Sequence, residues 1–261
     1  MTDSLEDLQR RRDHECRLTP DRALASFAEA HDFLMDRGLL TRTPDCALPS
    51  LYEACHEQPY QAGGRGFASW PATKWPWAGE LSELPDVLSA DIHRGKTMLL
   101  SEELVALVDP VCRAELARME RADPGWGKLL AHLADSGPSL AEDVELELGL
   151  KHQEFKALRS PLERCGAIVA RSIVLPAESG QGHIHRSEIA RWDDVYPQPS
   201  GAPLDIVALM GRALKAAVLA PEKDLTRWFS WRWLLPPELA GQLADRGLAT
   251  RPGPGWLAAP E

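Results

Sequence analysis

The chain has 261 residues, 44% hydrophobic and 26% charged, a composition of globular proteins with room for one or two well-filled cores. Its net charge of −10 disfavours indiscriminate adhesion to nucleic acid. No apolar run reaches the roughly 20 residues of a membrane helix, residues 1–20 are too charged for a secretory signal, and five cysteines without a Cys-x-x-Cys pair point to reduced thiols in a cytoplasm.

Residues 1–18 are polar and read as a frayed or short helical lead carrying Arg10, Arg11 and Arg12. Thr19-Pro20 opens a helix that buries Leu24, Phe27, Ala28, Phe33 and Leu34 and stops at Gly38. A second helix is expected over Leu48–Ala54. Gly63–Trp77 is rich first in glycine, then in tryptophan; Pro71 and Pro76 deny it a regular helix, so it reads as an ordered loop laid on the core. Leu84–Ile92 fits a helix or a strand. Gly95-Lys96-Thr97 has the tail of a phosphate loop without the upstream glycines. Ser101–Met119 forms a helix with Leu104, Leu107, Val108, Val111 and Leu116 on its apolar face. Residues 1–122 are therefore expected to form a helical domain with a Trp-rich loop.

Residues 123–197 have the pattern of a winged helix-turn-helix. Asp123-Pro124 opens a helix through Gly137, and Ser139 with Glu142 has the spacing of a capping box for a second helix ending at Gly149. A third helix, Lys151–Cys165, places Phe155, Leu158 and Leu162 on one buried stripe, and Pro161 should kink or split it after Arg159. The β-branched run Ala167–Leu175, a loop over Pro176–Gly182 and His183–Trp192 make the wing. After a Pro- and Gly-bearing linker, residues 198–261 repeat the theme on a smaller scale: a helix to Ala220, another from Pro237 to Arg246, and a hairpin around a Pro-Gly-Pro-Gly turn. Asp36–Arg42 echoes Asp245–Arg251. The expected fold class is mainly α with small β wings, an α+β chain of tandem winged helix-turn-helix units.

Charge divides within this region. Ser101–Leu148 has eleven acidic against four basic residues, whereas Lys151–Arg171 has five basic against two acidic. A DNA reader needs a basic third helix and wing, and the candidate contacts are Lys151, His152, Lys156, Arg159, Arg171, His183, His185 and Arg186. Glu142, Asp143, Glu145 and Glu147 on the preceding helix would oppose phosphate. No metal site has recognisable ligand spacing, and no cofactor is expected.

Leu48-Pro-Ser-Leu-Tyr-Glu-Ala54, Trp75-Pro-Trp77-Ala-Gly-Glu-Leu81, His93-Arg-Gly-Lys-Thr97 with Leu99-Leu-Ser101, and the winged helix closing on Trp192-Asp-Asp-Val-Tyr196 together resemble the AlkZ-like, or YcaQ-like, superfamily of winged-helix DNA glycosylases, in particular its small bacterial AlkZ-related members. The resemblance covers most of residues 20–260. It implies a stack of winged-helix units cradling DNA, with removal of alkylated or cross-linked bases in catalytic members. Those members carry a Gln-x-Gln or Gln-x-Asp motif, and no glutamine here has Gln or Asp two residues on. Glu53 and Asp91 are the candidate substitutes for holding water at the sugar, with Gln58 and Gln61 behind them. Two functions follow: a duplex-DNA-binding protein of damage recognition or repair, or a winged-helix module that binds a protein partner and not DNA.

Overall fold

The computed structural model describes residues 4–176 and 182–260 and is a mixed α+β fold with three small antiparallel sheets. After α1 (Leu5–Glu15), α2 (Phe27–Arg37) leads into β1 (Leu39–Thr41); α3 (Leu51–Ala54) and α4 (Trp77–Ser82) then precede the hairpin β2 (Val87–His93) and β3 (Lys96–Ser101). The strand order is β1-β3-β2. The helix expected from Thr19 starts only at Phe27, because the Leu24 N–H donates to the Ala54 carbonyl (2.9 Å) and Ser26 caps the Glu29 N–H.

The region read from sequence as a helical domain with a Trp-rich loop, residues 1–122, also holds this sheet. Leu39, Leu88, Ala90, Ile92, Met98 and Leu100 join the main core, while Leu40, Val87 and Leu99 face a second core under α2 and α4. A sheet buried on both faces shows no polar alternation in sequence, which is why Leu84–Ile92 fitted either element. The Trp-rich segment is ordered: Trp70 packs on Tyr52 and Phe67, and the Tyr52 hydroxyl donates to the Trp75 carbonyl (2.8 Å).

The long helix α5 (Glu102–Ala122) packs on β2, β3, α6 (Pro124–Ser136), α8 (His152–Cys165), α9 (Trp192–Val195) and α10 (Ile206–Ala217). One buried cluster runs from Leu39 to Ala259 through it, so residue 122 does not close off a separate core. Asp123 caps α6 as expected, accepting from the Gly125 (2.7 Å) and Trp126 (3.3 Å) N–H groups. Ser139 does not cap the next helix. It lies in β4 (Ser139–Leu140), paired with Ile189 of β6 (His183–Arg191), and α7 (Ala141–Glu147) begins without a side-chain cap. Nor does Pro161 break α8. One N–H is lost, but buried Phe155, Leu162 and Cys165 hold a single helix, while Leu158 is only half-buried against Gly125 of α6. Gly166 has φ +77, and a β-carbon there would lie 2.4 Å from Cys112 Sγ, so glycine serves both the helix stop and the approach to α5.

β5 (Ile168–Pro176) pairs with β6 from Ile168↔Arg191 to Pro176↔His183, in a sheet of order β4-β6-β5. Most of the expected wing loop, residues 177–181, lies outside the described residues. The last sheet repeats the order, with β7 (Leu219–Pro221), β8 (Thr250–Gly253) and β9 (Trp256–Ala258) arranged β7-β9-β8, and α11 (Leu239–Asp245) before β8. The echo of Asp36–Arg42 in Asp245–Arg251 is out of step: the first copy enters the first strand of its sheet, the second copy the second strand.

The expected linker is tied down. The Ser200 N–H donates to Asp109 (2.9 Å) on α5, which also accepts from Trp192 Nε1 (2.8 Å) and Arg113 Nε (2.8 Å). Trp228 and Trp231 are fully buried clamps: Trp231 Nε1 donates to the Cys165 carbonyl (2.9 Å), and between them the Ser230 N–H donates to the Ile92 carbonyl (2.8 Å).

Candidate nucleic-acid interface and carboxylate pair

The expected DNA-contact residues converge on α8 and the β5–β6 hairpin. Lys151 at the N-cap of α8 and His152 and Lys156 along its first half are exposed. Arg171, His183 and His185 are exposed on the hairpin, with Arg171 opposite Glu188 in register. Strand alternation puts Arg171 and Arg186 on one face and the two histidines on the other. The continuous basic strip is broken by acids. His152 bonds Glu145 (3.1 Å), Arg186 bonds Glu142 (2.9 Å), and Arg159 bonds Glu163 (2.6 Å) and Ser187 Oγ (2.7 Å). A cleft of about 360 Å³ between α7, α8 and β6 therefore carries Glu142, Glu145 and Glu163 beside Lys156 and Arg159. Among the described residues, Lys151 at the N-cap of α8 and Lys156 within it are the cations on this face left without an ionic partner.

The two proposed catalytic acids differ. Glu53 is exposed on the first turn of α3, its N–H capped by Ser50 Oγ (3.4 Å). Asp91 is half-buried on β2, bonded by Thr97 from β3, with Arg42 and Arg159 close by. Burial pushes its carboxyl above the ordinary range, and Thr97 and the two guanidinium groups only partly offset that. Glu163 joins it from α8. Burial raises its carboxyl too, against the pull of Arg159, and the neighbouring Asp91 charge adds to the rise. The Arg42 guanidinium lies 4.5 Å over the Trp70 ring, which fixes its direction.

The result is two acids with raised pKa where β2 meets α8, with Arg159 acting on both and Arg42 on Asp91. Such a pair can hold a proton and a water and stabilise adjacent positive charge. Sequence reasoning found Asp91 without its partner. Arg159 and Glu163 have the i, i+4 spacing of an ordinary solvated helix pair, and only the packing of α8 on β2 turns Glu163 inward.

One further cluster has metal-ligating atoms. Asp45, Cys46 and buried His93 bring them within 4.8 Å of one another. His93 Nδ1 lies 2.6 Å from the Trp228 carbonyl and Nε2 lies 2.7 Å from Asp45. However, Asp45 also bonds Arg94 and Lys96, whose charges would repel a cation, and burial pushes the Cys46 thiol up to about 12. The geometry is that of an ionic lock holding the β2–β3 turn.

No family model and no curated protein sequence matches the chain. Among solved structures, it is similar to the Streptomyces sahachiroi DNA glycosylase AlkZ, with a TM-score of 0.54 and 13% sequence identity. The match covers 95% of this chain and 66% of that glycosylase's length. No helix among the described residues is long and apolar enough to cross a membrane. At this identity the likeness is one of fold, and the chain has the AlkZ-like α+β fold that its sequence resemblance implied.

Proposed function

We propose that the chain is a DNA-binding protein acting in the recognition or repair of damaged bases, and that its three sheet-bearing units are winged helices. The observation that carries this is the AlkZ-like fold over 95% of the chain. Each unit supports the winged-helix reading by its order of helix, first strand, helical connection and hairpin, with the first strand paired to the third. In this reading 123–197 and 198–261 are two of the units, and the third precedes α5.

Lys151, Lys156 and Arg171 are the phosphate contacts best supported by the geometry, with His183 and His185 beside them on the wing. Three such contacts give a log–log salt dependence with a slope of about −3 for duplex binding. Lys151→Ala with Lys156→Ala should flatten it by about 2. Duplexes with and without N7-alkylguanine, titrated at several salt concentrations, test the reading, and absence of binding at low salt refutes it. Strand cleavage after alkali that is lost in Asp91→Asn would assign glycosylase chemistry to the Asp91–Glu163 pair.

A second reading, a protein-binding module in a cytoplasmic setting, is favoured by one observation. Glu142, Glu145 and Glu163 already hold Arg186, His152 and Arg159 on the face that DNA would need.

A further inference from the structure

A cleft of about 460 Å³ lies on another part of the molecule, where α5, α6, the end of α8, the β2–β3 turn and the segment Phe229–Trp233 meet. In a chain of net charge −10, four arginines line it: Arg94, Arg118, Arg164 and Arg232. Arg94 is held by Asp45 and Arg118 by the buried Glu115 (2.6 Å). Arg164 and Arg232 have exposed side chains with no ionic or hydrogen-bonding partner among the described residues. The guanidinium fork is the side-chain group that best matches a phosphate in two-point contact.

The cleft is also aromatic. Trp233 is 55% exposed, yet it is fixed: its Nε1 donates to Glu115 (3.1 Å) and the Arg118 guanidinium sits 5.3 Å over its ring. A large ring left open to solvent but clamped in place is a stacking platform. Trp126 lines the same space.

Two details point to a ligand. Ser230 lines the cleft, and its buried Oγ has no hydrogen-bond partner among the described residues. Arg94 has φ +55, a left-handed conformation that a β-carbon disfavours, and next to it a β-carbon on Gly95 would lie 2.7 Å from Arg164 Nε. The turn thus presents one arginine and makes room for the other.

We infer that this cleft binds a nucleotide unit, a phosphate ester beside an aromatic base, with Arg164 and Arg232 on the phosphate and the base stacked on Trp233. The volume falls within the range of small-molecule pockets. The inference goes beyond the α8 interface and does not depend on it. The ligand is either a free nucleotide or an unpaired nucleotide within a strand.

The test titrates the full chain, by tryptophan fluorescence and calorimetry, with adenosine 5′-monophosphate, adenosine, inorganic phosphate and a single-stranded oligo-dT. Binding of the mononucleotide at least tenfold tighter than phosphate or adenosine supports a free nucleotide. Oligonucleotide binding without mononucleotide binding supports a strand. In either case Arg164→Ala with Arg232→Ala should weaken binding at least tenfold without moving Tm. Trp233→Leu should reduce nucleotide affinity to that of phosphate alone, while Lys151→Ala with Lys156→Ala leaves it unchanged. That last control separates the cleft from the duplex reading, since either can fail with the other intact. Phosphate binding as tightly as the nucleotide, affinity unmoved by the arginine pair, or no binding of any probe would overturn the inference.

Discussion

Asp109 is 2% exposed in the middle of α5, and its carboxylate gathers three donors from separate parts of the chain: Arg113, Trp192 and the Ser200 backbone. Replacing it with alanine leaves the buried Trp192 indole N–H without an acceptor, unties the exposed Ser200 N–H and deprives the Arg113 guanidinium of its counter-ion. Breaking a buried pair in this way costs about 3–5 kcal/mol. Unfolding entropy near 2.1 cal/mol/K per residue gives a chain of this length about 0.5 kcal/mol per degree, so Tm should fall by about 6–10 °C. Burial pushes the Asp109 carboxyl up, but the Ser200 N–H, Trp192 and Arg113 together outweigh it and hold the pKa below its ordinary value. A lowered carboxyl pKa stabilises the fold above the unfolded-state value and loses that effect as pH falls through the folded value. Wild type and Asp109→Ala, melted by circular dichroism at a series of pH values, should therefore differ most near pH 7 and converge in acid below about pH 4. A Tm difference under about 2 °C at pH 7, or one that does not shrink in acid, would refute this account of the junction.

Asp91 carries the opposite sign. Its carboxyl is raised by burial, so the folded state binds a proton more readily than the unfolded chain, and its contribution to stability declines as pH rises through that window. Asp91→Asn should match or exceed wild-type Tm at pH 7, and a clear loss there would show that Arg42 and Arg159 dominate burial. Leu162 is fully buried, so Leu162→Ala should cost roughly 2–5 kcal/mol in denaturant melts. Half-buried Leu158→Ala should cost only about 1–2 kcal/mol, and the reverse order would mean that α8 is rotated. Gly166→Ala must strain a left-handed residue and press on Cys112 Sγ, so it should lose more than about 2 kcal/mol.

What sequence reasoning recovered was governed by neighbours along the chain. Asp123 capping α6, Gly137 ending it and Gly166 ending α8 are local backbone chemistry, and each sits where its pattern placed it. The failures are tertiary overrides. Ser139 and Glu142 have capping-box spacing, but the pull of β6 draws Ser139 into a strand. The first sheet was hidden because both its faces are apolar. Residues 197–203 look like a tether by composition, and it is one carboxylate ninety-one residues upstream that fixes them. Asp91 could be nominated from sequence, but Glu163 could not: its surroundings are made by β2, over seventy residues earlier.

The lock on the β2–β3 turn has a consequence for synthesis. The hairpin closes over a few residues and can form soon after it leaves the ribosome. His93 Nδ1 finds its acceptor only at the Trp228 carbonyl, 135 residues later, and the Ile92 carbonyl waits equally long for Ser230. At about 5–20 residues per second that interval is roughly 7–27 s. Throughout it the apolar face of the first sheet has no partner from the C-terminal helices. The nascent chain must cross this interval with that apolar face uncovered by its C-terminal partners, so a chaperone that shields hydrophobic segments should raise its soluble yield.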